Sequence, residues 1–203
     1  MLTFYHSPKT RSTRVLSLLR ELGRDQDVET RIVSIPRIDG TGGRDPSNPH
    51  PDGKVPLLVH DGTLISETSA IMLYLTDMFP EAGLGPRIGD PLRGAYLTWL
   101  AWYGDVMEPV YVAQAAGLSH PVLHATFRDV PEAVERLRTA LADGRPWLLG
   151  ESFTAADLLV HSPYAWFREA TPQDPVIANW VDRCMARPAA LWALEQDSRA
   201  RVA

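Results

Sequence analysis

Three short stretches carry residue types that can hold an anionic ligand and activate a nucleophile. The first, Ser7-Pro8-Lys9-Thr10-Arg11-Ser12-Thr13-Arg14, sets hydroxyls and cations just ahead of a run with helical spacing. Backbone N–H groups at a helix start attract anions, and hydroxyls and guanidinium groups add directed donors. A polar loop with an ordinary N-cap is the other reading of the same residues. The second stretch, Gly53-Lys54-Val55-Pro56-Leu57, carries a proline into a β-prone run. Proline cannot donate to a ladder, so it belongs at a strand start, an edge or a tight turn. A cis Val55-Pro56 bond would turn the Val55 N–H and C=O outward, ready to pair with an extended peptide; a trans proline on an edge strand also suits the sequence. The third, Ser66-Glu67-Thr68, opens a helix. Its N–H groups and hydroxyls suit a carboxylate and Glu67 suits an ammonium, whereas capping by Ser66 with an acid in the first turn is the purely structural alternative. Of twenty basic residues only Lys9 and Lys54 are lysines, and both fall in these stretches.

The elements around these stretches follow from hydrophobic period and turn residues. Leu2–His6 is a short β-prone run, and Val15, Leu16, Leu18, Leu19 and Leu22 recur at helical spacing up to Gly23 as C-cap. Residues 28–35 alternate as a second strand, and residues 36–52, rich in Gly, Pro, Asn and Asp, read as an irregular loop. Residues 55–59 and 63–65 flank Asp61-Gly62, a strong hairpin signal. The helix opened by Glu67 then presents Ile71, Met72, Leu75 and Phe79. The order β-α-β-loop-β-β-α describes a small α/β unit with a mixed sheet. Residues 80–90 have a linker composition, and every long segment beyond reads as helix. Asp90-Pro91 is an N-cap with proline at the first helical position, the next helix carries Tyr96, Trp99, Leu100, Tyr103 and Met107, and Pro109 kinks it. Thr154 and Asp157 have capping-box spacing, with Phe153 and Leu158 as the flanking hydrophobic staple.

The 203 residues carry twenty basic and twenty-five acidic side chains, a formal net charge of −5. That balance argues against a general nucleic-acid binder, and no run approaches the roughly 18 apolar residues of a membrane span. The opening residues lack an apolar leader core, so a cytoplasmic location is expected. A single cysteine, Cys184, excludes an internal disulfide, a Cys-x-x-Cys pair and a cysteine-rich zinc site; it reads as an inert packed thiol. His120 and His124 have the spacing of a metal pair, yet no third ligand joins them at suitable spacing beside Pro121 in an expected loop, so no metal is assigned. Gly40-Thr41-Gly42-Gly43 matches no phosphate or dinucleotide loop, and no Gly-x-Ser-x-Gly elbow exists.

Asn48-Pro49 leading to Gly53-Lys54-Val55-Pro56-Leu57, then Glu67-Thr68-Ser69-Ala70-Ile71 with Tyr74-Leu75, and Phe153-Thr154-Ala155-Ala156-Asp157, together resemble the glutathione S-transferase family over essentially the whole chain. The opening residues 5–12 and Leu18-Leu19-Arg20-Glu21-Leu22-Gly23 are most similar to bacterial and fungal members of its serine/cysteine-type branches. The resemblance implies an α/β plus all-α fold: a thioredoxin-like glutathione-binding domain over 1–80, a linker over 81–90 and an all-helical domain over 91–203. It implies a homodimer, glutathione as co-substrate with no other cofactor, and attack of the glutathione thiolate on an apolar electrophile. In that frame Val55 pairs with the cysteinyl unit beside a cis Pro56, Glu67 and Thr68 hold the γ-glutamyl end, and Lys54 approaches the glycyl carboxylate. Thr68 replaces the family's usual serine and keeps the hydroxyl.

A thiol of pKa near 8.5 is only a few per cent thiolate at pH 7, and the thiolate is the nucleophile. Lowering that pKa by about two pH units requires about 2.7 kcal/mol of preferential thiolate stabilisation. A hydroxyl donor, a helix N-terminus and a cation, each worth roughly 0.3 to 3 kcal/mol, supply it together. The first turn holds no cysteine for mixed-disulfide chemistry. Set against the family's branches, Arg11 falls where cysteine-type members have their cysteine with Ser12 just after it, or Thr10 falls in the activating place. The resemblance thus implies Thr10 and Ser12 as candidate activating hydroxyls, with Arg11 as electrostatic help and Tyr5 an outlying alternative. Tyr103, Trp102 and Met107 are the candidates for the wall of the electrophile pocket, Tyr103 being the one expected to be exposed; Trp99 reads as core. Two other readings of the same fold stand beside the transferase: a non-catalytic glutathione-binding or regulatory protein, and a glutathione-dependent isomerase, dehalogenase or peroxidase.

Overall fold

The computed structural model describes residues 1–199; the last four residues of the expected helical domain, 200–203, lie outside the described residues. The chain divides into two compact units, Met1–Leu84 with the segment from Ala186 onward, and Gly85–Met185.

The first unit is built on a four-stranded mixed sheet. Strands β1 (Leu2–His6), β2 (Glu29–Ile32), β3 (Leu57–His60) and β4 (Thr63–Ile65) lie in the order β2-β1-β3-β4. β1 runs parallel to β2 and antiparallel to β3, which is antiparallel to β4. This is the expected β-α-β-loop-β-β-α order, with a shorter second strand: residues 29–32 are all exposed, while flanking Val28 and Val33 are buried. An edge strand pairs on one side only, so its ladder ends where the chain leaves β1. The hairpin turn places Asp61 at φ 47° and Gly62 at φ 84°, the positive pair that a two-residue type I′ turn requires.

Helix α1 (Thr13–Glu21) follows β1, and α2 (Thr68–Met78) follows β4. The end of α1 is a Schellman motif: Arg24 N–H donates to Leu19 O (2.8 Å), Gly23 N–H to Arg20 O (3.1 Å), and Gly23 takes the left-handed conformation. Val15, Leu18 and Leu19 of α1, Ile71, Met72 and Leu75 of α2, and Phe4, Leu57 and Leu58 of the sheet are wholly buried. Each such side chain contributes about 1.5–3 kcal/mol of hydrophobic stabilisation.

Sequence periodicity assigns the last helix to the second module; the structure packs it on the first. This helix, Pro188–Arg199, lies against α1. Arg187, just ahead of it, donates from Nε and Nη2 to both carboxylate oxygens of Glu21 (2.6 and 2.7 Å) in a half-buried fork. Arg187→Ala is therefore expected to lower the unfolding free energy by about 1–2 kcal/mol. Urea titration measures it, and an unchanged midpoint contradicts it.

The second unit is all helical: α3 (Arg93–Trp102), α4 (Glu108–Ala115), α5 (Pro121–Phe127), α6 (Val130–Leu141), α7 (Ala155–Val160), α8 (Ser162–Trp166) and α9 (Pro175–Met185), so the Pro188–Arg199 helix is α10. Asp90, expected as the N-cap of α3, instead closes the turn before it, accepting from Leu92 N–H (2.8 Å). Between α3 and α4, Tyr103–Met107 form a π-helical turn. Pro109 has no N–H for the carbonyl of Asp105, and a widened turn ahead of it relieves the ring's clash with that carbonyl. His120 and His124, expected in a loop beside Pro121, instead start and lie in α5, with His120 as its N-cap through Nδ1 accepting from Val122 N–H (3.2 Å). Among the described residues no group of three or more His, Cys, Asp or Glu could hold a metal ion. Among the described residues no helix is long and apolar enough to cross a membrane. Cys184 is buried in α9.

Candidate functional site

Strand register brings the three chemically loaded stretches to one end of the sheet. Tyr5 pairs with Leu57, so the loop that follows His6 lies beside the start of β3 and hence beside Pro56. Leu58 pairs with Ile65, so Ser66-Glu67-Thr68 leaves β4 at that same end. His6 pairs with Ile32, and the segment from Val33 to Pro56 begins there too, with Val33 N–H donating to His6 O (2.9 Å). Residues separated by sixty positions in sequence are thereby gathered at one edge.

The Val55-Pro56 bond is cis. Val55 precedes the strand, and no backbone hydrogen bond to it occurs among the described residues. The loop before it is held by its own side chains: Asn48 Nδ2 donates to Lys54 O (3.1 Å), His50 N–H to Asn48 Oδ1 (3.1 Å), and Asp52 N–H to His50 Nδ1 (3.0 Å). Lys54 is exposed on that frame. Across the site Glu67, not Ser66, occupies the cap of α2, at φ 66° and ψ 123°. A side chain other than glycine held at positive φ costs of order 1–3 kcal/mol and is concentrated at ligand sites. Glu67 is exposed and Thr68 half-buried.

The turn between β1 and α1 is a dense polar cluster. Thr10 Oγ1, half-buried, lies 2.7 Å from both Ser7 O and Ser12 Oγ and accepts from Ser12 N–H (3.2 Å). Ser12 Oγ accepts from Ser7 N–H (3.1 Å) and lies 2.7 Å from His6 Nδ1. His6 Nε2 faces Asp197 Oδ1 of α10 at 2.9 Å. Asp197 Oδ2 takes the N–H of Lys9 (2.7 Å) and the hydroxyl of Thr13 (2.5 Å). Arg37 Nη2 donates to Ser7 Oγ (3.1 Å) and Pro8 O (2.9 Å), tying the irregular loop to this turn. Strand alternation explains the placement of His6. Tyr5 faces one side with Val33 and Leu57, while His6 shares the helix-covered side with Phe4, whose ring stacks on it at 5.7 Å.

Burial works against ionisation of Asp197, but bonds from His6, Thr13 and the Lys9 amide outweigh it and hold its pKa below the ordinary 3.8. A depressed folded-state value means stabilisation that is complete above the unfolded value and lost as pH falls through the folded one. Wild-type stability is thus expected to fall with acidification below about pH 4, and Asp197→Asn to lose less over that interval. Parallel slopes in urea titrations at stepped pH would contradict this.

Several expectations need correction. Ser12 is 0% exposed and its hydroxyl is enclosed, so it cannot meet a ligand atom directly. Tyr5 takes a bond from Arg31 Nη1 (3.4 Å), on the face opposite the cluster. Tyr103, expected to be exposed, is 1% exposed and donates to Glu108 Oε1 (3.1 Å). Trp102 is buried edge-to-face against Trp99 (5.2 Å) under Arg136, and Met107 is wholly buried. Helical spacing marks an apolar stripe without saying what covers it, and aromatic rings offer the largest area to bury. These three side chains form no open wall. His6, Asp197 and Arg37 escaped sequence reading. His6 ended a strand pattern, Arg37 lay in an irregular loop, and Asp197 stands 191 residues from its partner. Arg11 is exposed at the head of α1.

With this geometry in view, comparison with known proteins is specific. The family model for the N-terminal domain of glutathione S-transferases matches residues 10–78, and that for the C-terminal domain matches residues 110–188. Protein LigF from Sphingobium sp. is 25% identical, over 74% of this chain and 77% of its own. Glutathione S-transferase GstA from Escherichia coli O157:H7 is 28% identical, over 73% of each chain. Among solved structures, a glutathione transferase from Methylococcus capsulatus matches at TM-score 0.79 and 26% identity, over 98% of this chain and all of the other. A sphingomonad glutathione S-transferase complexed with glutathione matches at TM-score 0.77 and 27% identity, over 98% of this chain and all of the other.

Proposed function

Since the chain belongs to the glutathione S-transferase family, we propose that its first unit binds reduced glutathione extended beside the start of β3 and activates the thiol through Thr10. The Val55 backbone pairs with the cysteinyl unit, Glu67 and Thr68 take the γ-glutamyl ammonium and carboxylate, and Lys54 takes the glycyl carboxylate. The observation that carries this reading is the register: Tyr5 opposite Leu57 and Leu58 opposite Ile65 set Thr10, Val55 and Glu67 at one sheet end.

Of the two candidate hydroxyls, Thr10 is the accessible one and Ser12 stands behind it. Thr10 donates to the sulfur as charge develops, while the start of α1 and the Arg11 guanidinium supply positive potential. The chemistry is conjugation: the thiolate attacks an apolar electrophile, a carbon–sulfur bond forms and the leaving group departs with its electron pair. Glutathione is the co-substrate, the working protein is a homodimer, and it acts in the cytoplasm. Binding is tested by calorimetric titration with reduced glutathione, and chemistry by turnover of a chlorodinitrobenzene. Saturable binding with turnover supports the transferase, binding without turnover leaves a glutathione-binding protein, and absence of binding overturns the reading.

A further inference from the structure

Behind Thr10 the polar chain runs inward without a break: Thr10 Oγ1 to Ser12 Oγ at 2.7 Å, Ser12 Oγ to His6 Nδ1 at 2.7 Å, His6 Nε2 to Asp197 Oδ1 at 2.9 Å. We infer that these four side chains form a proton relay that carries the proton of the bound thiol into the protein and holds it on His6. The inference rests on Thr10 being the hydroxyl that meets the sulfur.

Donor and acceptor valences support it. Each hydroxyl has one proton and two lone pairs. Ser12 Oγ accepts from Ser7 N–H and from Thr10, and its proton has two acceptors, Ser7 O at 3.1 Å and the nearer His6 Nδ1 at 2.7 Å, which the relay uses. Thr10 Oγ1 accepts from Ser12 N–H, and its one proton has Ser7 O and Ser12 Oγ as acceptors, both at 2.7 Å; turned to Ser12, it leaves one lone pair for an incoming S–H. The relay uses the tautomer in which His6 Nε2–H donates to Asp197 and Nδ1 is left to accept. Asp197 cannot swing away, because its second oxygen holds the Lys9 amide and the Thr13 hydroxyl.

In the step, the S–H bond breaks as that proton bonds to Thr10 Oγ1, and its electron pair stays on sulfur. The proton Thr10 carried passes to Ser12, and the one Ser12 carried passes to His6 Nδ1. The products are a thiolate accepting from Thr10 and an imidazolium between Ser12 and the Asp197 carboxylate. Every proton is accounted for and no further reactant enters. The logic is that of a serine–histidine–aspartate triad, in which the carboxylate orients the ring and stabilises its charged form. Here the hydroxyl passes a proton onward instead of attacking. Ser12, His6 and Asp197 act through Thr10 and are positioning residues.

The chain of groups behind Thr10 is shielded from bulk water, and the Asp197 carboxylate 2.9 Å from Nε2 is the counter-charge that a protonated ring needs. Ser12 is 0%, His6 1% and Asp197 4% exposed. A cavity of about 350 Å³ beside His6 is lined by Asp25 and Arg199, each already paired, with Arg20 and Glu195 respectively. Neither contributes a bond to the ring, whose two nitrogens face Ser12 and Asp197. A histidine serving only to fasten the turn between β1 and α1 to α10 would make the same bonds but would not change its protonation when glutathione binds.

Wild-type protein tests this directly. Reduced glutathione is titrated in buffers of differing ionisation enthalpy, at a pH where ultraviolet absorbance shows the bound thiol ionised. The relay predicts far fewer protons released than thiolates formed, and a His6 ring that becomes doubly protonated by NMR with glutathione but not with S-methylglutathione. One proton released per thiolate, with an unchanged His6 ring, overturns it. Variants separate the relay from its premise. If Thr10→Val leaves the bound thiol pKa unchanged, the assignment of Thr10 fails and the relay with it. If Thr10→Val raises that pKa while Ser12→Ala and Asp197→Asn leave pKa and kcat within about twofold of wild type, the relay alone fails. The relay predicts for Asp197→Asn a fall in kcat of roughly ten- to a hundredfold with glutathione affinity unchanged, partly restored in Asp197→Glu. If a variant fails to fold, the proton count on wild type stands as the test.

Discussion

Asp157→Ala is expected to lower the unfolding free energy by about 3–5 kcal/mol, the largest stability loss of any single substitution considered. One carboxylate serves four donors: Leu148 N–H (2.8 Å), Thr154 N–H (3.0 Å), Thr154 Oγ1 (3.1 Å) and Trp180 Nε1–H (3.0 Å). It thereby completes the capping box that starts α7 and fastens α9 and the preceding loop to it. Burial pushes the Asp157 carboxyl up, against the pull of those four donors, so the site is stable only while all are satisfied. Alanine strands buried donors at about 1–3 kcal/mol apiece, partly relieved by relaxation, and removes a cap worth about 1 kcal/mol. Asparagine keeps the volume and one accepting oxygen and is expected to lose less. Urea-induced unfolding followed by tryptophan fluorescence measures both, and a loss under about 1 kcal/mol for alanine contradicts the argument.

Thr10→Val is expected to lower kcat/KM by roughly 10²–10³, mostly in kcat. Valine is close to threonine in shape but removes the donor proposed to meet the sulfur and its link to Ser12. Removing one directed donor to a developing anion costs about 2.7–4 kcal/mol in comparable sites, which is the size of the whole stabilisation needed to ionise the thiol near neutral pH. Glutathione affinity is expected to change little, because the proposed reading gives the holding of the peptide to Val55, Glu67 and Thr68. Steady-state kinetics with a chlorodinitrobenzene separates the two parameters; a variant with wild-type kcat contradicts the role given to Thr10.

Local signals carried most of the architecture. Asp61-Gly62 gave the hairpin, Gly23 the end of α1, and Thr154 with Asp157 the capping box, because each depends on residues within a turn of one another. The three chemically loaded stretches were legible for the same reason, and strand register then joined them. What stayed hidden depends on distant partners. The period of α10 marked a helix without saying which unit it covers, so Asp197 had no visible connection to His6. The aromatic stripe of α3 showed which side chains are apolar and left open whether protein or ligand covers them; Tyr103 proved buried. Pro109 signalled a disturbance whose form, a π-helical turn over residues 103–107, depends on the packing of both flanking helices.

The central claim is that the turn between β1 and α1 turns a bound thiol into a thiolate, and ultraviolet titration of saturating glutathione on the protein tests it most directly. Wild type is predicted to show thiolate absorbance rising with an apparent pKa well below that of the free tripeptide, and Thr10→Val to return that value towards the free one. A wild-type midpoint equal to that of free glutathione would contradict the account.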